Sequence, residues 1–138
     1  MIFDRFCCEL RRTLTKYPHK EAYDVLKLLF HGSRKTNPKE IYSSEYGLDF
    51  RFSRDGMYGN GIYFSNNSDY SNDYRHNTTL NGRKVAQMFA CWVNVGESIS
   101  LPPQKMTLPP LKTPGSTERY DSVCNTNSSH HIIYDSSK

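Results

Sequence analysis

A chain of 138 residues is long enough for one hydrophobic core and too short for two comfortable domains. With 36% apolar and 23% charged residues it has the composition of an ordinary globular protein, and no stretch approaches membrane-spanning length. The net charge of +4 comes from scattered residues, with Arg11-Arg12 and Arg34-Lys35 the tightest pairs, so there is no nucleic-acid stripe, only a mild pull on anionic ligands.

Residues 4–16 and 19–28 carry helix-like apolar spacing, interrupted at Pro18. Phe3, Phe6, Cys7 and Leu10 would share one face, and Tyr23, Leu26 and Phe30 another. The second segment runs into Leu28-Leu29-Phe30, read as a buried strand that turns sharply at His31-Gly32. Asn37 is a good N-cap, Pro38 suits the first turn and Glu40 stands three residues after the cap. With Gly47 as a stop, 38–46 is a short helix with Ile41 and Tyr42 facing inward. Residues 48–58 form a loop, and Gly56, Gly59 and Gly61 puncture the chain before the β-prone triplet Ile62-Tyr63-Phe64. The polar stretch 65–82 holds a short helix near 67–74, then a loop to Gly82. From Arg83 the chain is largely apolar, and Cys91 to Val95 favours a central strand. The proline-rich segment 101–119 is a surface loop, followed by β-like pieces at Tyr120–Cys124 and His131–Tyr134. Strands and helices do not alternate as βαβ units, which favours a single α+β domain over residues 1–138.

The four cysteines have no Cys-x-x-Cys spacing, and neighbours Cys7 and Cys8 do not readily bond each other. They are expected to be reduced and mostly buried. The start, Met1 to Arg5, has no leader-like apolar run, so the cytoplasm or nucleus is the expected location. No metal cluster stands out, and no metal is expected. The stretch Gly56 to Gly61 has the order G-x-x-G-x-G running into a strand, opposite to a dinucleotide fingerprint, and a tight turn explains it. His31 and Tyr63, each alone, are better explained by packing. Read one residue at a time, the chain is an α+β domain with a tyrosine-rich pocket.

The motifs together say more. Leu29-Phe30-His31-Gly32-Ser33-Arg34, Gly47-Leu48-Asp49, Met57 to Ser65, Tyr70-Ser71-Asn72-Asp73-Tyr74, Ala86-Gln87-Met88-Phe89 and Tyr120-Asp121-Ser122-Val123 stand in an order that resembles the catalytic domain of poly(ADP-ribose) polymerases (PARPs). The resemblance covers roughly residue 25 to the C-terminus. It implies the ADP-ribosyltransferase fold, two packed, mostly antiparallel sheets with short flanking helices, and NAD as substrate. On this resemblance His31 bonds a hydroxyl of the nicotinamide ribose. The Gly32 backbone holds the carboxamide, with Ser33 beside it and the Ser71 hydroxyl as a second contact. Tyr63 and Tyr74 offer aromatic faces to the pyridinium ring.

The sequence departs from the family pattern in two places. Polymerising members carry a Glu on a late strand, just before an aromatic-aliphatic run; aligning Ile132-Ile133-Tyr134-Asp135 with that run puts His130 in its place. The resemblance then implies single transfer to a protein acceptor, itself included, or a weakly active NAD or ADP-ribose binder. Family domains also continue into another strand where only Asp135 to Lys138 remain, so the expectation is either a fragment or a C-terminally trimmed version with an exposed sheet edge.

Overall fold

The computed structural model describes residues 1–53 and 55–138. Helix α1 (Ile2–Lys16) leads into a single turn, α2 (Ala22–Val25), and strand β1 (Leu26–His31). After α3 (Pro38–Tyr42) come β2 (Ile62–Ser65), α4 (Ser68–Asn72), β3 (His76–Leu80), β4 (Arg83–Gln87) and β5 (Phe89–Asn94). The chain ends with β6 (Ser98–Ser100), β7 (Ser122–Cys124) and β8 (His130–Ile133). Six strands form one sheet in the order β5-β1-β2-β8-β7-β6, antiparallel except for the β6–β7 pair, and β3 with β4 makes a separate two-stranded sheet. This is the α+β class with two mostly antiparallel sheets and short helices.

The central strands explain why the sheet holds together. Side chains alternate between the two faces of a strand. Ile62 and Ile133, paired across β2 and β8, join Leu29, Phe64, Val93 and Val95 in one core. Their neighbours Tyr63 and Ile132, also paired, face the other way with Tyr58, Val123 and Tyr134. The middle of the sheet is therefore buried on both sides, so Ile62-Tyr63-Phe64 and Ile132-Ile133-Tyr134 read as short unbroken apolar runs.

Several expectations need correction. The second helix is not 19–28 but one turn, closed by a Glu21–Asp24 capping box, and Tyr23 is exposed. From Leu26 the chain is extended, because β1 pairs with β5 at six successive positions, Leu26↔Asn94 to His31↔Phe89. That ladder overrides a helical spacing. Helix α3 stops at Tyr42, where the Ser43 and Ser44 hydroxyls bond the carbonyls of Lys39 and Ile41; Ile41 is buried and Tyr42 exposed. The segment taken as a loop to Gly82 is a hairpin. Asn81 and Gly82, with φ of 50° and 75°, make its turn. Phe3 on the expected inner face of α1 is exposed, and only Thr13 of that helix is buried. Of the free cysteines only Cys124 is buried. Among the described residues, no helix is long and apolar enough to cross a membrane.

Candidate functional site

A cavity of about 640 Å³ opens where β1, β2 and β8 meet α4 and the loop before β2. That volume lies within the range of small-molecule and cofactor sites. His31, Gly32, Ser33, Tyr63, Ser71, Tyr74 and His130 all line it, so every residue singled out in the sequence comes to one place. They arrive from four separated segments.

Strand β1 delivers His31 at its last position. β1 and β2 pair only at Phe30↔Ser65 and then part, yet the His31 Nδ1 lies 2.7 Å from the Tyr63 carbonyl oxygen. A carbonyl only accepts, so Nδ1 carries the proton and Nε2 keeps its lone pair. The rings of Phe64 and Phe89 stand 5.6 and 6.4 Å from the imidazole. Burial pulls the His31 pKa below the ordinary value, partly offset by the Tyr63 carbonyl. The ring is thus a neutral acceptor held in a fixed pose.

Gly32 follows in the tightest spot of the site. A β-carbon there would overlap the Tyr74 backbone and crowd the Ser71 carbonyl. Among the described residues, neither its N–H nor its C=O has a hydrogen-bond partner. One residue on, Ser33 is committed locally, its hydroxyl donating to the Thr36 carbonyl at 2.8 Å.

The loop before β2 is shaped around the Tyr63 phenol. Its hydroxyl donates to the Gly59 carbonyl at 2.7 Å and accepts from the Tyr58 N–H at 2.9 Å. Burial raises the Tyr63 pKa, so the phenol stays neutral. With its hydroxyl occupied, the ring is the part left to contact a ligand. Lys105 ties the outer wall by bonding the Asp55 carboxylate at 2.7 Å and the Gly56 carbonyl at 2.6 Å.

Helix α4 supplies the opposite wall. Asn67 caps it by accepting from the Asp69 N–H. Ser71 is buried and donates to the Phe30 carbonyl at 3.0 Å, so its remaining lone pairs can only accept. Tyr74 sits just past the helix, with the Arg34 guanidinium 4.1 Å from its ring centre and the Tyr70 ring at 5.2 Å. The Tyr70 and Tyr74 hydroxyls are 3.3 Å apart, and burial, then that contact, push Tyr70 up to about 12.

His130 opens β8 and lies 4.0 Å, centre to centre, from the Tyr70 ring. Its neighbour His131 is buried and does not line the cavity. Burial, then the charge of Lys27, lower the His131 pKa to about 4.

The sequence reading missed Arg34, Tyr70 and Asn125 as members of the site. Arg34 and Tyr70 lay within quoted motifs, and the i, i+4 spacing of Tyr70 and Tyr74 was a usable signal. Asn125, in the loop between β7 and β8, gave none.

The aromatic- and histidine-lined cleft beside the central strands of this α+β domain has the size and make-up of a small-molecule site. The PARP catalytic domain model matches residues 2–137, and the chain belongs to that family. It is 41% identical over 92 residues to a probable poly [ADP-ribose] polymerase of Dictyostelium discoideum, a stretch that covers 65% of this chain and 27% of that protein. The chain thus matches only about a quarter of that relative's length.

Proposed function

We propose that residues 1–138 act as one catalytic domain that moves a single ADP-ribosyl group from NAD to a protein acceptor and releases nicotinamide. The observation that carries this reading is the convergence of His31, Gly32, Tyr63, Ser71 and Tyr74 on one cavity in a chain of the PARP family. The unpartnered N–H and C=O of Gly32 suit a carboxamide, which needs one acceptor and one donor. Ser71, its own proton given to Phe30, accepts from the carboxamide NH₂. Nε2 of His31 accepts from a ribose hydroxyl. The Tyr63 and Tyr74 rings flank the pyridinium, whose positive charge strengthens the contact. The protein holds the substrate so that the nicotinamide–ribose bond breaks next to a waiting acceptor, and the gain is mainly positioning and electrostatics.

His130 limits the reaction. It occupies the place where polymerising relatives carry a Glu, and a neutral imidazole does not stabilise an oxocarbenium-like carbon as a carboxylate does. Single transfer follows, without chain growth. The same feature favours a second reading, a domain that binds NAD or ADP-ribose without turnover. The free cysteines suit a place of action in a reducing compartment such as cytoplasm or nucleus.

Incubation with isotope-labelled NAD separates these readings. Single transfer gives free nicotinamide and mass additions of one ADP-ribosyl unit per modified residue. Polymer ladders would sink the single-transfer assignment, and NAD binding with no nicotinamide release would leave the binding module.

A further inference from the structure

His130 sits inside a closed network whose donors and acceptors can be assigned one by one. The Asn125 Oδ1 accepts two backbone bonds, from the Ser129 N–H at 2.8 Å and the His130 N–H at 2.9 Å. Backbone N–H groups only donate, so this oxygen cannot trade places with the amide nitrogen. The Asn125 Nδ2 therefore faces the other way and donates twice, to the Ser129 Oγ at 3.0 Å and to the His130 Nδ1 at 2.8 Å. The Ser129 hydroxyl has already given its proton to the Asn127 Oδ1 at 2.6 Å, so it brings no proton to the ring. A proton on Nδ1 would meet the amide N–H head on. Nδ1 must be the lone-pair nitrogen, and in a neutral ring the proton then sits on Nε2. Among the described residues nothing bonds Nε2.

We propose that Asn125 is a positioning residue that fixes His130 in the Nε2–H tautomer, so that this imidazole serves the cavity as a hydrogen-bond donor and not as a base. The Tyr70 ring, 4.0 Å away, holds the same pose from the side. Burial also lowers the His130 pKa, which keeps the ring neutral near pH 7. His31 has the opposite arrangement, with Nδ1 protonated against the Tyr63 carbonyl. The cavity thus holds one accepting and one donating imidazole.

The chemical consequence rests on the transfer reading; the tautomer itself does not. In transfer the nicotinamide–ribose bond breaks and its electron pair goes to the ring nitrogen, leaving neutral nicotinamide. A lone pair of the acceptor oxygen forms the new bond to the anomeric carbon. If the acceptor is water or a hydroxyl, its proton must leave in the same passage. His130 in this tautomer cannot take it, the His31 Nε2 lone pair is engaged by the ribose hydroxyl, and bulk water must. Acceptors that carry such a proton are therefore disfavoured, and hydrolysis of NAD is slow.

Two-bond ¹H–¹⁵N correlation spectra of ¹⁵N-histidine-labelled protein at pH 8, assigned by loss of the signal in His130→Gln, test the tautomer directly. The Nε2–H pattern is expected, and an Nδ1–H pattern overturns the proposal. Asn125→Asp keeps an oxygen for the Ser129 and His130 N–H groups and turns a second oxygen toward Nδ1. The proton is expected to move to Nδ1 and free the Nε2 lone pair. Release of nicotinamide by hydrolysis should then rise by about tenfold or more. An unchanged Nε2–H pattern in folded Asn125→Asp removes Asn125 from its role. A switched tautomer without faster hydrolysis, in protein that does turn over NAD, overturns the donor-not-base assignment. A switched tautomer with no turnover in either protein upholds the tautomer assignment and sinks the transfer reading instead.

Discussion

At Gly32 the chain has no room for a side chain, because the Tyr74 backbone and the Ser71 carbonyl fill the space a β-carbon would take. Both obstacles are main-chain atoms just at or past α4, so they cannot swing aside as a long side chain does. Gly32→Ala should force β1 and α4 apart by a fraction of an ångström. That displaces the N–H and C=O proposed for the carboxamide and the Ser71 hydroxyl with them. Overpacking of this kind costs about 1–3 kcal/mol. Calorimetric titration should show NAD affinity falling by about tenfold or more while the protein still unfolds cooperatively; unchanged affinity would detach Gly32 from the pocket. Residues of this sort were legible in the sequence only as an ordered set. Alone, His31 and Tyr63 were indistinguishable from packed residues, and the series from Phe30 to Tyr74 gave them a shared address. Asn125 stayed invisible because its importance comes from four hydrogen bonds in the β7–β8 loop, a geometry that no spacing in the chain announces.

Helix α1 is held at its C-terminal end by the buried Thr13 and Tyr17 and by a polar cluster around the Tyr17 hydroxyl. Lys112, from the proline-rich loop, reaches the Tyr17 hydroxyl at 2.9 Å and the carboxylates of Glu97 and Glu118 at 2.8 and 2.9 Å. Tyr17 in turn donates to Asp121 at 2.6 Å. Burial works against the Lys112 charge, but the bonds to Glu97, Tyr17 and Glu118 outweigh it and raise its pKa. Lys112→Met keeps most of the volume and removes the shared cation. Glu97 and Glu118 are partly exposed and can rehydrate, so the expected loss is about 2 kcal/mol rather than the larger cost of a stranded buried charge. Urea unfolding should register it with little change in NAD affinity, since none of these groups lines the cavity. A loss under about 0.5 kcal/mol would make the cluster an ordinary surface feature. The elements themselves were unevenly legible. The cap at Asn37-Pro38 marked α3, and the apolar runs marked β2 and β8. Helical spacing misled at 19–28 because a six-pair ladder with β5 settles the conformation of β1. In the hairpin the Asn81-Gly82 signal was present, but β3 and β4 bury little, so they lack the alternation that identifies a strand.

Over the whole molecule the histidines of the site and its strand set how stability responds to acid. His31, His130 and His131 all have pKa values lowered by burial, His131 to about 4. For each, the unfolded chain binds its proton more readily than the folded one. The unfolded state therefore holds more protons below the unfolded histidine value of 6.5, and stability must fall as pH falls. The contribution is complete above 6.5 and is lost progressively toward the folded values. For buried His131 the interval from 6.5 to about 4 corresponds to roughly 3 kcal/mol. Asp121 adds to the slope at lower pH. Burial alone would raise its carboxyl, but the Tyr17 hydroxyl, the Glu97 N–H and the lysines Lys138 and Lys16 hold it below the usual range. Stability due to Asp121 is present above 3.8 and fades as pH falls through its lower folded value. Both groups thus act in the same direction, one after the other. The melting temperature should be nearly flat from about pH 7 to 8.5 and drop steadily between about 6.5 and 4. His131→Gln cannot take up a proton there, so its profile should be visibly flatter over that interval than the parent's. Equal slopes in the two proteins would show that protonation of His131 is not what the acid works against.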